Sequence, residues 1–107
     1  MLTIELQVLK EISKHLHEQF GEHIVCMYAF GSRVRGDFSA SSDFDVLVVV
    51  RDKNPEIEYA IVSVIVDIEM QYNLSFTPVI KDEKAFELEK KYNSPFYNNI
   101  IHEGIQL

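Results

Sequence analysis

The sequence is poor in the residues that mark several specialised classes of protein. It has one cysteine, three prolines and four glycines among its 107 residues. The lone thiol of Cys26 cannot form an intrachain disulfide, and we expect a buried structural side chain. Low glycine and proline, together with 47% hydrophobic residues, exclude fibrous and disordered chains. The length predicts a single domain spanning residues 1–107.

Positive charge is also scarce. Ten Lys and Arg stand against seventeen Asp and Glu, which gives a formal net charge of −7. A field of this sign repels polyanions, so we expect no direct binding to nucleic acid. A small nucleotide that arrives with its metal ion is much less affected by that field.

No apolar run is long enough to cross a membrane. The longest, at 46–50 and 61–66, are far shorter than the roughly 20 residues that a spanning helix needs. The N-terminus also lacks a basic segment followed by an apolar stretch and a cleavage site. We therefore expect a cytoplasmic protein that does not bind membranes.

Hydrophobic periodicity predicts helices that alternate with strands. Apolar residues at three- and four-residue intervals predict a helix from Leu2 to Phe20, ending near Gly21. Continuous apolar runs predict buried strands at 24–30 and 44–50. The expected fold class is therefore α/β, with a small mixed β-sheet flanked by helices.

The second half of the chain continues this alternation. Asn54 and Pro55 are typical of a helix start and precede a predicted helix over 56–72, although the β-branched stretch 61–66 leaves a strand open. A third strand is predicted over 74–80, where Pro78 indicates a sheet edge or a bulge. Helices follow at 83–90 and 95–103. Aromatic and aliphatic residues near the last helix could form core or a partner surface, namely Tyr92, Phe96, Tyr97, Ile100 and Ile101.

A small, polar stretch lies between the two buried strands. Gly31 permits a tight turn that brings backbone amides close to a phosphate, and Ser32 adds a hydroxyl donor. Gly36 provides a second flexible point. Arg33 and Arg35 supply charge that could meet phosphate oxygens. This stretch is therefore our candidate for a phosphate-binding turn.

Two carboxylates follow that turn at the start of the second strand. Asp43 and Asp45 are two residues apart, so both would point to one face if both lay in the strand. Converging carboxylates repel each other unless a cation lies between them, and Mg²⁺ or Mn²⁺ bridging to nucleotide phosphates is the natural candidate. Such an ion would neutralise charge on the transferring phosphoryl group.

The run Gly31-Ser32-Arg33-Val34-Arg35-Gly36, followed after six residues by Asp43-Phe44-Asp45, resembles the signature of minimal nucleotidyltransferases of the polymerase-beta superfamily. The resemblance implies a nucleotidyltransferase fold and transfer of a nucleoside monophosphate, commonly AMP, from a triphosphate, commonly ATP, to a hydroxyl of a protein or small molecule. It assigns Asp43 and Asp45 to catalysis and to the metal. It assigns nucleotide binding to Gly31, Ser32, Arg33, Arg35, Gly36 and Ser42.

The resemblance also suggests a second function. Some relatives act as antitoxins that partner a helical protein of the HEPN type, and a nucleotide-binding module with little turnover would fit that role. The superfamily usually places a third carboxylate on the next strand, but 74–80 contains no acid. Asp67 and Glu69 precede that strand and are expected on a solvated helix face. Whether the chain forms a homo-oligomer is left open.

Overall fold

Helices and strands alternate along the chain as the hydrophobic pattern predicts. The computed structural model describes residues 3–31 and 44–107. The elements in chain order are α1 (Thr3–Phe20), a 3-10 turn (Gly21–His23), β1 (Ile24–Phe30), β2 (Phe44–Val50), α2 (Pro55–Tyr72), β3 (Phe76–Asp82), α3 (Glu83–Lys91), α4 (Pro95–Glu103) and β4 (Ile105–Gln106). Among these residues no helix is long and apolar enough to cross a membrane.

The strands form one mixed sheet in the order β3-β2-β1-β4. β1 and β2 are antiparallel, and Phe30 at the end of β1 lies opposite Asp45. β2 and β3 are parallel, and Asp45 is in register with Thr77. The predicted α/β class with a small mixed sheet is confirmed. Pro78 lies in β3, an edge strand, as its missing N–H predicts.

Helices cover both faces of the sheet. α1 and α2 pack on one face, where their aliphatic side chains meet those of β2 in the larger core cluster. α3 and α4 cover the other face, where Phe86 and Ile100 pack against Leu47 and Val49. β2 is therefore buried on both sides, which explains why its sequence is continuously apolar rather than alternating.

Residues 61–66 are helical, so the strand alternative for this stretch is wrong. Ile61, Ile65 and Ile68 are buried at helical spacing along α2. The side chain of Asn54 accepts a hydrogen bond from the amide of Ile57 at 2.9 Å, and Pro55 occupies the first turn. The predicted start of this helix is confirmed, because the local capping signals agree with the tertiary packing.

The bounds of β3, the presence of β4 and the burial of Cys26 differ from the predictions. β3 begins at Phe76 and extends to Asp82, and the two-residue strand β4 was not predicted. Cys26 is half-buried rather than buried, and burial raises the pKa of its thiol with smaller contributions from Glu87 and Glu83. Of the apolar residues near α4, Ile100 is buried and two aromatic side chains pack against the smaller core, whereas Tyr92 and Ile101 are exposed.

The carboxylate of Asp82 links the segment after β2 to the start of α3, at the end of the sheet opposite Asp45. Asp82 closes β3 and caps α3, accepting the amide of Lys84 at 2.9 Å and the amide of Lys53 at 2.9 Å. The Lys53 amide, followed by that of Lys84, lowers the pKa of Asp82 below its usual value. The ionised form is therefore the one that the fold stabilises.

We expect Asp82→Asn to lower the denaturation midpoint at pH 7, because an amide cannot accept both bonds as a carboxylate does. Folding lowers the pKa of Asp82. The stabilisation by its carboxylate is therefore fully present above the pKa of the unfolded chain, near 3.8, and is lost as the pH falls through the pKa of the folded protein. In urea titrations, the denaturation midpoints of Asp82→Asn and wild type should differ less at acidic pH than at neutral pH. The control is Asp52→Asn, an exposed position with φ of 53° that asparagine tolerates. A pH-independent difference would contradict this account.

Candidate active site

The end of β1 and the start of β2 meet at a glycine and an aspartate. Gly31 has a φ of +96°, a conformation that residues with a Cβ rarely adopt. A Cβ built on Gly31 would overlap the carboxylate oxygen Oδ2 of Asp45 and lie 3.1 Å from its Cγ. The absence of a side chain at Gly31 therefore lets the Asp45 carboxylate lie directly over the turn that leaves β1.

The start of β3 completes this edge of the sheet. Thr77 is in register with Asp45, and register partners on parallel strands direct their side chains to the same face. Asp45 is half-buried and Thr77 is exposed, so solvent reaches both residues at this edge. A ligand approaching from solvent would meet the hydroxyl of Thr77 next to the carboxylate of Asp45.

Backbone contacts fix the starts of β2 and β3 relative to each other. The amide of Phe44 donates to the carbonyl of Ser75 at 3.3 Å, and the rings of Phe44 and Phe76 lie 6.0 Å apart. The amide of Phe76 donates to Oε2 of Glu69 at 3.0 Å. Glu69 is half-buried, so the expectation that it lies on a solvated helix face is wrong. This carboxylate instead holds the start of β3 beside Asp45.

The structure brings together two of the predicted site residues, Gly31 and Asp45. The others lie outside the described residues and stay predictions: Ser32, Arg33, Arg35, Gly36, Ser42 and Asp43. Within 3–31 and 44–107 no group of three or more His, Cys, Asp or Glu side chains could hold a metal. Asp45 is thus the described member of the predicted carboxylate pair.

The described part of the site fits a hard divalent cation. Carboxylate oxygens are the ligands that Mg²⁺ and Mn²⁺ prefer, and such ions usually take one or two carboxylates with substrate phosphates as further ligands. The Asp45 carboxylate lies over a glycine turn that a single Cβ would fill. Asp45 therefore supplies one ligand of the type that this coordination requires.

Most of the chain matches a known protein family. A family model described as a nucleotidyltransferase domain matches residues 9–105, which covers most of the chain and includes both Gly31 and Asp45. The chain belongs to this nucleotidyltransferase family. The suspected resemblance is thereby confirmed, and the family implies a nucleoside triphosphate as substrate.

Two curated relatives of this nucleotidyltransferase come from Methanocaldococcus jannaschii, and each is named a "putative protein adenylyltransferase". One is 27% identical over 100 residues, which cover 94% of each chain. The other is 22% identical over 103 residues, which cover 95% of this chain and 97% of the relative. The similarity therefore extends over nearly the whole length of both proteins.

A solved structure shows the same fold. The crystal structure of a "putative nucleotidyltransferase" from Sulfolobus solfataricus superposes with a TM-score of 0.58 and 24% sequence identity. The match covers 94% of this chain and 77% of the other. At this identity the comparison establishes the nucleotidyltransferase fold.

Sequence reasoning missed the roles of Thr77 and Glu69. Thr77 becomes part of the site only through the register of β2 and β3, which periodicity does not specify. The sequence does contain one indication of the position of Glu69. Asn73 is a typical helix-ending residue, so Glu69 could have been placed in the last turn of α2, close to the next strand. Asn73 has a φ of 53° and its amide donates to the carbonyl of Glu69, so α2 ends there and the chain reverses toward β3.

We expect Gly31→Ala to destabilise the fold more than Gly21→Ala. Gly21 has a φ of +57°, and a Cβ there meets nothing within 4 Å, so alanine costs only the left-handed strain of about 1–2 kcal/mol. At Gly31 the new methyl must also displace the Asp45 carboxylate. Urea denaturation should show the larger loss for Gly31→Ala, and Mn²⁺ binding should weaken in that variant alone. Equal losses in both variants would show that the carboxylate does not lie over the turn.

Proposed function

We propose that this chain is a metal-dependent nucleotidyltransferase that transfers AMP from ATP to a hydroxyl of a protein or small molecule. The observation that carries the proposal is the Asp45 carboxylate over the Gly31 turn. Membership of the nucleotidyltransferase family supports the reaction class. The relatives named for protein adenylylation support AMP as the transferred group and a protein as one acceptor.

Each residue has a distinct task in this reaction. Asp45 and Asp43 would hold Mg²⁺ or Mn²⁺. The bound ion would neutralise the charge on the reacting phosphate. The amides of the Gly31–Ser32 turn would bind the outer phosphates, with Gly36 and Ser42 shaping the same loop. Arg33 and Arg35 would stabilise the departing pyrophosphate. Fixed positioning and electrostatics supply most of the catalysis in phosphoryl transfer, so the rigid starts of β2 and β3 matter.

The charge and surface of the chain suit a small nucleotide. The net charge of −7 disfavours nucleic acid as acceptor, because a polyanion would have to approach an acidic surface without counterions. We propose a cytoplasmic location, where ATP and Mg²⁺ are both abundant. A homo-oligomer is compatible with these properties but is not needed to complete the described part of the site.

One observation favours a second function. Thr77, rather than an acid, lies in register with Asp45 on β3. A hydroxyl cannot accept the proton of an attacking alcohol as a carboxylate can, and general-base assistance is worth about 10²–10⁴ in rate. The alternative is therefore a nucleotide-binding antitoxin that partners a HEPN-type protein with little or no turnover.

Replacing the Asp45 carboxylate tests the main proposal. Asp45→Asn keeps the size of the side chain but removes the charge that attracts the cation. We expect Mg²⁺-dependent incorporation of AMP from labelled ATP to fall at least about a hundredfold, a loss of about 2.7 kcal/mol of transition-state stabilisation. Asp52→Asn, at the far end of β2, should retain full incorporation. Undiminished transfer in Asp45→Asn would remove Asp45 from the metal site.

An acidic residue introduced at Thr77 on β3 tests whether the chain transfers nucleotides or only binds them. Thr77→Asp places a carboxylate in register with Asp45, and Thr77→Asn changes shape without charge. If transfer is limited by proton removal from the acceptor, the Asp variant alone should release pyrophosphate at least about tenfold faster. Calorimetry with ATP and Mg²⁺ should be run in parallel. Tight nucleotide binding without product in wild type and Thr77→Asp would favour the antitoxin function.

A further inference from the structure

α2 has exposed apolar side chains on the side opposite to its buried face. Ile61, Ile65 and Ile68 face the larger core and are buried. On the outer side Tyr59 is 76% exposed and Met70 is 78% exposed. A surface helix normally has polar and charged residues on the side that faces away from its core. The outer side of α2 therefore has the composition of a covered surface.

Three exposed side chains and the half-buried Ser63 form one continuous stripe along α2. Tyr59, Ser63, Val66 and Met70 follow each other at intervals of four, three and four residues, which places them on a single face of the helix. Val66 is 41% exposed. The hydroxyl of Ser63 donates to the carbonyl of Tyr59 at 2.9 Å, so this hydroxyl is satisfied within the helix. We call these four residues the α2 stripe.

Acidic residues border the α2 stripe on both sides. Glu56 and Asp67 are eleven residues apart, about three turns, and line one border. Glu58 and Glu69 have the same separation and line the other. Glu58 lies 3.9 Å from the ammonium of Lys53, and Glu69 accepts the Phe76 amide, whereas Glu56 and Asp67 are both exposed. α2 itself contains no Lys, Arg or His.

This charge pattern discriminates between possible occupants. A second copy packed through its own α2 stripe would bring carboxylates against carboxylates in either orientation, because both borders are acidic. Nucleic acid and anionic membranes are repelled for the same reason. A helix with an apolar stripe bordered by Lys and Arg instead satisfies both the apolar surface and the acidic borders.

We propose that the α2 stripe is a docking site for an amphipathic helix of another protein whose apolar face is bordered by basic residues. Tyr and Met are enriched in interface cores, and Val66, branched at Cβ, loses little side-chain entropy on binding. The acidic borders would accelerate encounter and set orientation, while Tyr59 and Met70 would anchor the complex. This inference does not depend on whether the active site turns over.

The test uses two synthetic helical peptides of the length of α2 that share one leucine stripe. One peptide has Lys and Arg borders and the other has Glu borders. Fluorescence anisotropy should show binding of the basic-bordered peptide and none of the acidic-bordered one. Tyr59→Ser combined with Met70→Ser should weaken binding at least about tenfold. Both positions are exposed, and thermal unfolding should confirm that the variant stays folded.

A matched pair of exposed apolar residues elsewhere provides the control. Leu88→Ser combined with Tyr92→Ser removes side chains that are 55% and 72% exposed, and it should change the affinity by less than about twofold. Glu56→Lys combined with Asp67→Lys reverses the charge of one border and should weaken binding of the basic-bordered peptide at least about tenfold. Equal weakening by the two serine pairs would overturn the proposal, as would dimers of the wild-type chain that Met70→Ser dissociates.

Discussion

The close approach of the Asp45 carboxylate to Gly31 is the constraint on which the rest of the site depends. β1 and β2 are adjacent and antiparallel, and Phe30 at the end of β1 lies opposite Asp45, so the next residue, Gly31, lies beside the start of β2. Any side chain at that position would occupy the volume of the carboxylate. A glycine with positive φ therefore allows the Asp45 carboxylate to lie directly against the backbone that follows β1. A carboxylate is a ligand type that divalent cations prefer.

The remaining structure keeps this edge rigid. β2 has an apolar layer on each face, and the carboxylate of Glu69 holds the neighbouring strand at Phe76. A site that works by positioning needs such support, because small displacements of charged groups lower the rate strongly. The far end of the sheet is secured independently by Asp82, so the two ends do not depend on the same contacts.

Sequence reasoning identified the elements whose signals are local. β1, β2 and α2 have strong periodicity or capping residues, and the Gly31 turn with Asp45 was recognisable from its residue types and spacing. β4 was missed because two residues have no periodicity, and its pairing with Tyr28 depends on the tertiary position of α4. The Thr77 contact required the register of two strands that are separated by a whole helix. Local chemistry was thus predictable, whereas long-range register was not.

Pro78 has a consequence for how the sheet meets other molecules. β3 is an edge strand, and the bond from Phe44 to Ser75 places alternate residues of β3, including Phe76 and Pro78, with their backbone groups directed away from β2. The Phe76 amide is already engaged by Glu69, and Pro78 has no N–H to donate. A strand of another molecule that paired with β3 would therefore lack N–H donors at two successive residues that face away from β2, Phe76 and Pro78. This lack of donors protects the chain from aggregation by sheet extension.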